Sequence, residues 1–184
     1  LGVVQGLTEF LPISSTAHLK VVPELLGWGD PGVSVTAAIQ LGSIVAVIAY
    51  FRTDLSQVLR GISRAFRNGQ WREPEARLGF AMVVGTLPIL LIGLGVKFAW
   101  AQGYEQSPLR SVPSIAIVSI VMALLLALAE RVGARCKQLP GVSGRDGLLV
   151  GLAQALALIP GVSRSGSTLT AALFDGWKGL RLEL

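Results

Sequence analysis

Residues 5–18 read QGLTEFLPISSTAH, a stretch that sets one carboxylate (Glu9), a proline break (Pro12), three consecutive hydroxyls (Ser14, Ser15, Thr16) and the only histidine of the chain (His18) in apolar surroundings. Leu1, Val3, Val4, Leu7, Phe10 and Leu11 surround Glu9 with surface that belongs in a protein core or in lipid. An ionisable group is expensive there, and inside a membrane its default reading is function. Gln5 precedes Glu9 by four residues, so on a helix the two side chains share one face. Two oxygen-bearing groups placed this way could hold a hard cation such as Mg²⁺ or Ca²⁺, with water and substrate phosphates completing the shell. Beyond Pro12, His18 could serve one of the hydroxyls, or a water, as general base and later as acid.

The rest of the chain places this stretch in a membrane protein. Of 184 residues 52% are hydrophobic and 15% charged, and the mean hydropathy is +0.62, which excludes an ordinary soluble domain. Residues 33–51, 79–100 and 112–129 are apolar runs long enough to span a bilayer, for which about 20 residues are needed. Turn and charge signals flank them: Asp30, Pro31 and Gly32 before the first, Arg52 and Asp54 after it, Ser107 and Pro108 before the third. The single Cys136 rules out a disulfide within the chain, and one cysteine with one histidine leaves no zinc cluster, so a metal here would be held by oxygen.

A net charge of +5 raises the question of nucleic acid, but the cations lie in short runs between apolar segments, so no nucleic-acid partner is expected. Arg60, Arg64, Arg67 and Arg72 fall between Arg52 and Arg77, and Arg135 and Lys137 fall between Arg131 and Arg145. The positive-inside rule puts both basic runs in the cytoplasm, as solvated loops without a specific partner, and the loop at Tyr104 and residues 18–33 outside.

Two further apolar stretches are too short to cross about 30 Å of hydrocarbon. Residues 1–11 stop at Pro12 and residues 147–159 at Pro160; they run into PISSTAH and PGVSRSGST, and Gln5 and Gln154 stand at related places before the two prolines. Such a pair points to an inverted repeat with its site at the repeat interface. Three spanning runs lie between the pair, so the two breaks are approached from opposite sides and can meet near the middle of the membrane. Irregular backbone at that depth is tolerable only when it is buried in protein or lines a wet cavity. The expected architecture is a single-domain, all-α polytopic membrane protein with re-entrant segments at residues 1–20 and 147–172. The chain opens on Leu1 inside an apolar run and ends soon after the second motif, so a fragment of a longer protein is expected, incomplete at the C-terminus.

The second motif, residues 160–168, reads as an anion site. Gly161 and Gly166 allow close backbone approach, Ser163, Ser165, Ser167 and Thr168 bring hydroxyls, and Arg164 brings a planar fork of donors. A helix starting near Ser165 would aim its first amides at the same ligand, and phosphate suits such a set best. The GKS/GKT ending of a P-loop is missing. A two-histidine lipid phosphatase mechanism of the PSGH type cannot be drawn from one histidine.

GLTEFLPISSTAH and PGVSRSGST, with IQLGSIVAV around Gln40 between them, resemble the signature regions of the undecaprenyl pyrophosphate phosphatase family, the bacitracin-resistance proteins. The resemblance runs to about Asp175. It implies a hydrolase of the bacterial plasma membrane that removes the terminal phosphate of undecaprenyl pyrophosphate and returns the lipid carrier to peptidoglycan synthesis. By motif matching it implies Gln5 and Glu9 as the pair tied to a divalent metal, and Ser15 and His18 as nucleophile and acid/base partner. It also implies Arg164 as phosphate-binding arginine, with Ser163, Ser165 and Thr168 in support; Ser14 and Thr16 by their hydroxyls and Gly166 by close backbone approach are further expected substrate contacts. The implied partners are the polyprenyl pyrophosphate lipid and the bilayer, and a homodimer is compatible with them. Gln5 stands where many members have glutamate, which leaves one carboxylate for the metal. An inverted-repeat transporter of a lipid or small molecule is the alternative that residue placement alone leaves open.

Overall fold

A computed structural model describes residues 1–29, 31–105, 107–134, 136–138 and 141–177. Asp30, Arg135 and the tail after Trp177 lie outside the described residues. The described residues form helices α1 (Gly2–Thr8), α2 (Ser15–Leu25), α3 (Gly32–Tyr50), α4 (Arg52–Asn68), α5 (Pro74–Glu105), α6 (Val112–Val132), α7 (Gly144–Ala155) and α8 (Arg164–Phe174). No strand is present among them, only an isolated bridge between Lys137 and Trp177.

The three long apolar runs are carried by α3, α5 and α6. Residues Pro74–Ala99 of α5 and Val112–Val132 of α6 are each long and apolar enough to cross a membrane. Most of their large apolar side chains face outward, Leu91, Phe98, Ile117 and Leu124 among them. That is how a helix meets lipid rather than water. Helix α5 starts ahead of its apolar run because Pro74 and Glu75 suit a first turn: the ring pre-sets φ, and the carboxylate faces the positive end of the helix dipole. The basic segment after Phe51 is a helix too, α4, turned 73° from α3.

Helices α5 and α7 pack through small residues. Ala81 and Gly85 on α5 face Gly147 and Gly151 on α7, so close that a Cβ on Gly147 would overlap the Ala81 carbonyl and one on Gly151 the Gly85 carbonyl. This paired small-xxx-small arrangement lets two backbones approach where no hydrophobic force separates helix from lipid. It also anchors the second broken element, α7–α8, to the longest helix of the chain.

The start of α7 is fixed by a capping box. The Ser143 hydroxyl accepts from the Asp146 amide, and the Asp146 carboxylate accepts from the Ser143 amide and hydroxyl. Lys137 Nζ then bridges Asp146 and Asp175, each at 2.7 Å, and so ties the loop before α7 to the end of α8. Burial pushes the Asp146 carboxyl up, but the hydrogen bonds from Lys137 and Ser143 outweigh it and hold the carboxyl well below the usual carboxylate range. A carboxyl whose folded-state value is depressed adds stability that is present above the unfolded-state value and lost as the pH falls below it. Lowering the pH from about 6 to about 3 should therefore reduce the thermal stability of the native chain more than that of Asp146→Asn, which starts lower and changes less. Melting curves of both proteins in detergent across that range check it.

Candidate active site

Both short apolar stretches fold as helix, break, helix. Helix α1 ends at Thr8, and Pro12, which has no amide to donate, lies in the break before α2. Helix α7 runs through a 3₁₀ turn (Leu156–Leu158) into the break at Pro160 before α8. The second break is held from α6: the Ser119 hydroxyl donates to the Gly161 carbonyl at 3.0 Å. Gly161 has φ +96°, and a Cβ there would meet the Ile115 carbonyl oxygen at 2.6 Å, so only glycine fits this close approach.

The two breaks touch. Ser165 Oγ, in the first turn of α8, donates to the Leu11 carbonyl across 3.1 Å. Gly166 leaves room for the Pro12 carbonyl, which would lie 3.5 Å from a Cβ. Between the breaks is a polar cleft of about 50 Å³. Glu9, Ser14, Ser15 and Thr16 line it from the first break, Ser163, Arg164 and Ser165 from the second, and Gln40 from α3.

Glu9 is the hub of a hydrogen-bond network. Its Oε2 accepts from Gln5 Nε2 at 2.9 Å and from Ser15 Oγ at 2.6 Å, and its Oε1 accepts from Gln40 Nε2 at 2.5 Å. Gln5 Nε2 also reaches Gln40 Oε1 at 2.7 Å and Ser43 Oγ at 3.4 Å. Gln40 and Ser43 are members of the site that the reading of the breaks misses. The available signal is that they are polar, three residues apart and on one face of an otherwise apolar run.

Across the cleft, Ser163 caps α8: its hydroxyl accepts from the Gly166 amide at 3.1 Å and lies 3.1 Å from Ser165 Oγ. The Arg164 side chain is exposed and has no hydrogen-bond or ion-pair partner among the described residues. A free guanidinium and the first amides of an 11-residue helix thus face a carboxylate-held hydroxyl. That set can bind a phosphoryl group and offer it an attacking oxygen.

Ser14 is the strained residue of the site. It is the one non-glycine at positive φ among the described residues (φ 61°, ψ 88°), and its buried hydroxyl has no partner. Such a backbone costs about 1–3 kcal/mol, and it is found at a residue that lines the cleft. Ser14→Gly should therefore raise the melting temperature, while binding of a phosphate-bearing ligand weakens. Thermal scans with and without inorganic pyrophosphate read both effects.

Other expected site residues stand differently. His18 does not line the cleft; its Nδ1 lies 2.9 Å from the Ser14 carbonyl, which leaves Nε2 for proton transfer. The physical cause is local: the helical bond from the His18 amide to that carbonyl is long, 3.4 Å, and leaves the oxygen open to the ring. The hydroxyls of Ser167 and Thr168 turn back onto the Arg164 carbonyl, each at 3.0 Å, and bond within their own helix. Gln154, the counterpart of Gln5, lines a separate, mainly apolar cavity of about 410 Å³ between α5 and α7.

A divalent metal can be weighed against these residues. No three His, Cys, Asp or Glu side chains come together as a metal site among the described residues. Two groups have the oxygen chemistry a hard cation takes: the Glu9 carboxylate, and Gln5 Oε1, which is buried without a partner while Gln5 Nε2 is the atom turned to Glu9. Mg²⁺ commonly takes one or two protein oxygens and completes its shell from water and substrate phosphates.

Comparison with known proteins bears on this geometry. Residues 1–180 match the family model described as Bacitracin resistance protein BacA. The chain is 92% identical over 178 residues to an undecaprenyl-diphosphatase of Synechococcus sp. (strain CC9605), covering 97% of this chain and 62% of that protein. It is 82% identical, with the same coverage, to the undecaprenyl-diphosphatase of Parasynechococcus marenigrum (strain WH8102). It is 75% identical to that of Prochlorococcus marinus (strain MIT 9303), over 97% of this chain and 60% of that protein. The chain thus spans about 62% of the length of these curated relatives.

Proposed function

The chain belongs to the Bacitracin resistance protein BacA family, and on that footing we propose that it serves the hydrolysis of undecaprenyl pyrophosphate to undecaprenyl phosphate and phosphate at the bacterial plasma membrane. The names of the relatives support the substrate. The observation that carries the chemistry is the 2.6 Å hydrogen bond from Ser15 to Glu9, in a cleft that Arg164 also lines.

The lipid tail lies among apolar helix surfaces and the pyrophosphate enters the cleft. Arg164 and the amides at the start of α8 take the negative charge of the terminal phosphoryl group, which is what phosphoryl transfer chiefly requires. Ser15 Oγ attacks the terminal phosphorus, its proton passes to Glu9 Oε2, and the bridging P–O bond breaks to release the lipid monophosphate. Water then attacks the phosphoserine and gives its proton to His18 Nε2, the Ser15 Oγ–P bond breaks, Ser15 Oγ takes back the proton held on Glu9, and inorganic phosphate leaves. A divalent cation held by Glu9 and Gln5 Oε1 would supply further charge neutralisation. Gln5, Gln40 and Ser43 position Glu9. Return of the product as lipid carrier to cell-wall synthesis follows from the proposed substrate, and no observation favours the transporter alternative.

The test is phosphate release from undecaprenyl or farnesyl diphosphate by the purified protein, with acid quench to trap phosphoserine. Ser15→Ala is expected to lose roughly 10³-fold or more in turnover and all trapped phosphate. Full turnover by Ser15→Ala would overturn the covalent route and leave water as the nucleophile.

A further inference from the structure

The basic segment after α3, expected as a solvated loop, is a 17-residue helix with an apolar side that its neighbours only half cover. At about 100° per residue, Gly61, Ile62, Ala65 and Val58 occupy one sector. This sector packs on α5: a Cβ on Gly61 would strike Glu75, and Ile62 and Val58 fill the space over Gly79. The adjoining sector holds Leu55, Leu59 and Phe66, spaced i, i+4 and i+11. Leu59 is 66% exposed and Phe66 74% exposed, with Trp71 set edge-on to the Phe66 ring at 4.9 Å. Beyond that stripe come Arg52, Arg67 and Arg60 on the flank and Arg64 behind them. Arg52 and Arg67, like Arg72 just past the helix, have no partner among the described residues, whereas Arg64 pairs with Glu73 at 2.8 Å.

We propose that α4 lies flat in the headgroup layer of an anionic bilayer, with Leu55, Leu59, Phe66 and Trp71 in the acyl boundary and Arg52, Arg60 and Arg67 on lipid phosphates. Three features fit one occupant. The 73° turn sets α4 steeply across the direction of the apolar helix α3. The sector next to the stripe packs on Glu75 and Gly79, where α5 begins its apolar course, so the stripe adjoins a helix long and apolar enough to cross a membrane. The cations border the apolar stripe, the arrangement by which an interfacial helix combines apolar burial with attraction to anionic headgroups. The surface is separate from the cleft and does not depend on the reaction assigned to it.

Spin labels on the native chain, reconstituted in vesicles of phosphatidylcholine with about one-third phosphatidylglycerol, test this. In a Cys136→Ser background, labels go at Leu59→Cys on the stripe, Ser63→Cys at its edge and Gln57→Cys on the opposite side. Collision with oxygen and with a water-soluble nickel complex reads depth. The Leu59 label should lie about 5–10 Å below the phosphates and meet nickel about fivefold less than the Gln57 label, with Ser63 between them. Arg60→Gln with Arg67→Gln should raise nickel contact at Leu59 toward the Gln57 value, as should pure phosphatidylcholine vesicles. Equal nickel contact at Leu59 and Gln57 in anionic vesicles would overturn the proposal. A Leu59 label shielded from both reagents would overturn it in favour of a protein cover, and the same depth in both lipids would overturn its charge basis.

Discussion

Arg164→Ala should lower kcat/KM for a polyprenyl diphosphate by roughly 10³-fold while the protein stays folded. The side chain is exposed and has no intramolecular partner among the described residues, so the fold loses little without it. On the proposed reaction its contribution is made to the ligand. Arg164→Lys should recover only part of the loss, because an ammonium keeps the charge but not the planar fork that matches two phosphate oxygens. Phosphate release and the melting temperature, measured together on the three proteins, separate a lost ligand contact from a lost fold. A melting temperature unchanged from the native protein beside near-silent turnover is the expected pair.

Glu9→Gln is the second large loss and differs in kind. Glu9 accepts from Gln5, Gln40 and Ser15, and an amide in its place keeps one acceptor oxygen and turns N–H groups toward donors. Turnover should fall roughly 10²- to 10⁴-fold with loss of the proton acceptor for Ser15. Stability should fall as well, by about 1–3 kcal/mol, because partly buried donors lose their partner. Gln40→Ala, which removes a single donor, should cost less on both counts. His18→Gln gives the contrast: its ring is held on the Ser14 carbonyl and Ser15 is held by Glu9, so the first transfer should survive better than in Glu9→Gln and dephosphorylation of the serine should slow. A trapped phosphoserine that accumulates in His18→Gln and is absent in Glu9→Gln would be the signature.

Much of this arrangement is legible in the sequence because the bilayer restricts the choices. Runs of apolar residues must become helices when no water satisfies the backbone, and a proline in a run too short to cross must be a break. The two breaks pair by their short, proline-stopped runs, their related glutamines and their Ser-rich continuations, and the structure joins them at Ser165 and Leu11. Side-chain partners are less legible, since they depend on rotations that spacing does not set. Four-residue spacing correctly puts Gln5 beside Glu9, but the left-handed backbone at Ser14 starts α2 so that Ser15 meets Glu9 while His18 folds back on the Ser14 carbonyl. Gln40 and Ser43 join the cluster through tertiary packing of α3, which no local pattern around Glu9 announces. The hydroxyls of Ser167 and Thr168 look like ligands in a motif and turn out to bond back to a carbonyl of their own helix. Helix α4 was hidden by composition: its charges read as loop, and only the helical period separates the α5-facing sector, the stripe and the arginines.

If the two breaks form one phosphate site, Ser14 from one side and Arg164 from the other act on the same ligand. A double-mutant cycle on the binding of a non-hydrolysable methylene diphosphonate lipid analogue tests it most directly. Ser14→Ala and Arg164→Gln should each weaken binding, and together they should weaken it by less than the sum, with a coupling of about 1–2 kcal/mol. Strictly additive losses would mean that the two groups do not share a ligand and that the breaks do not form one site.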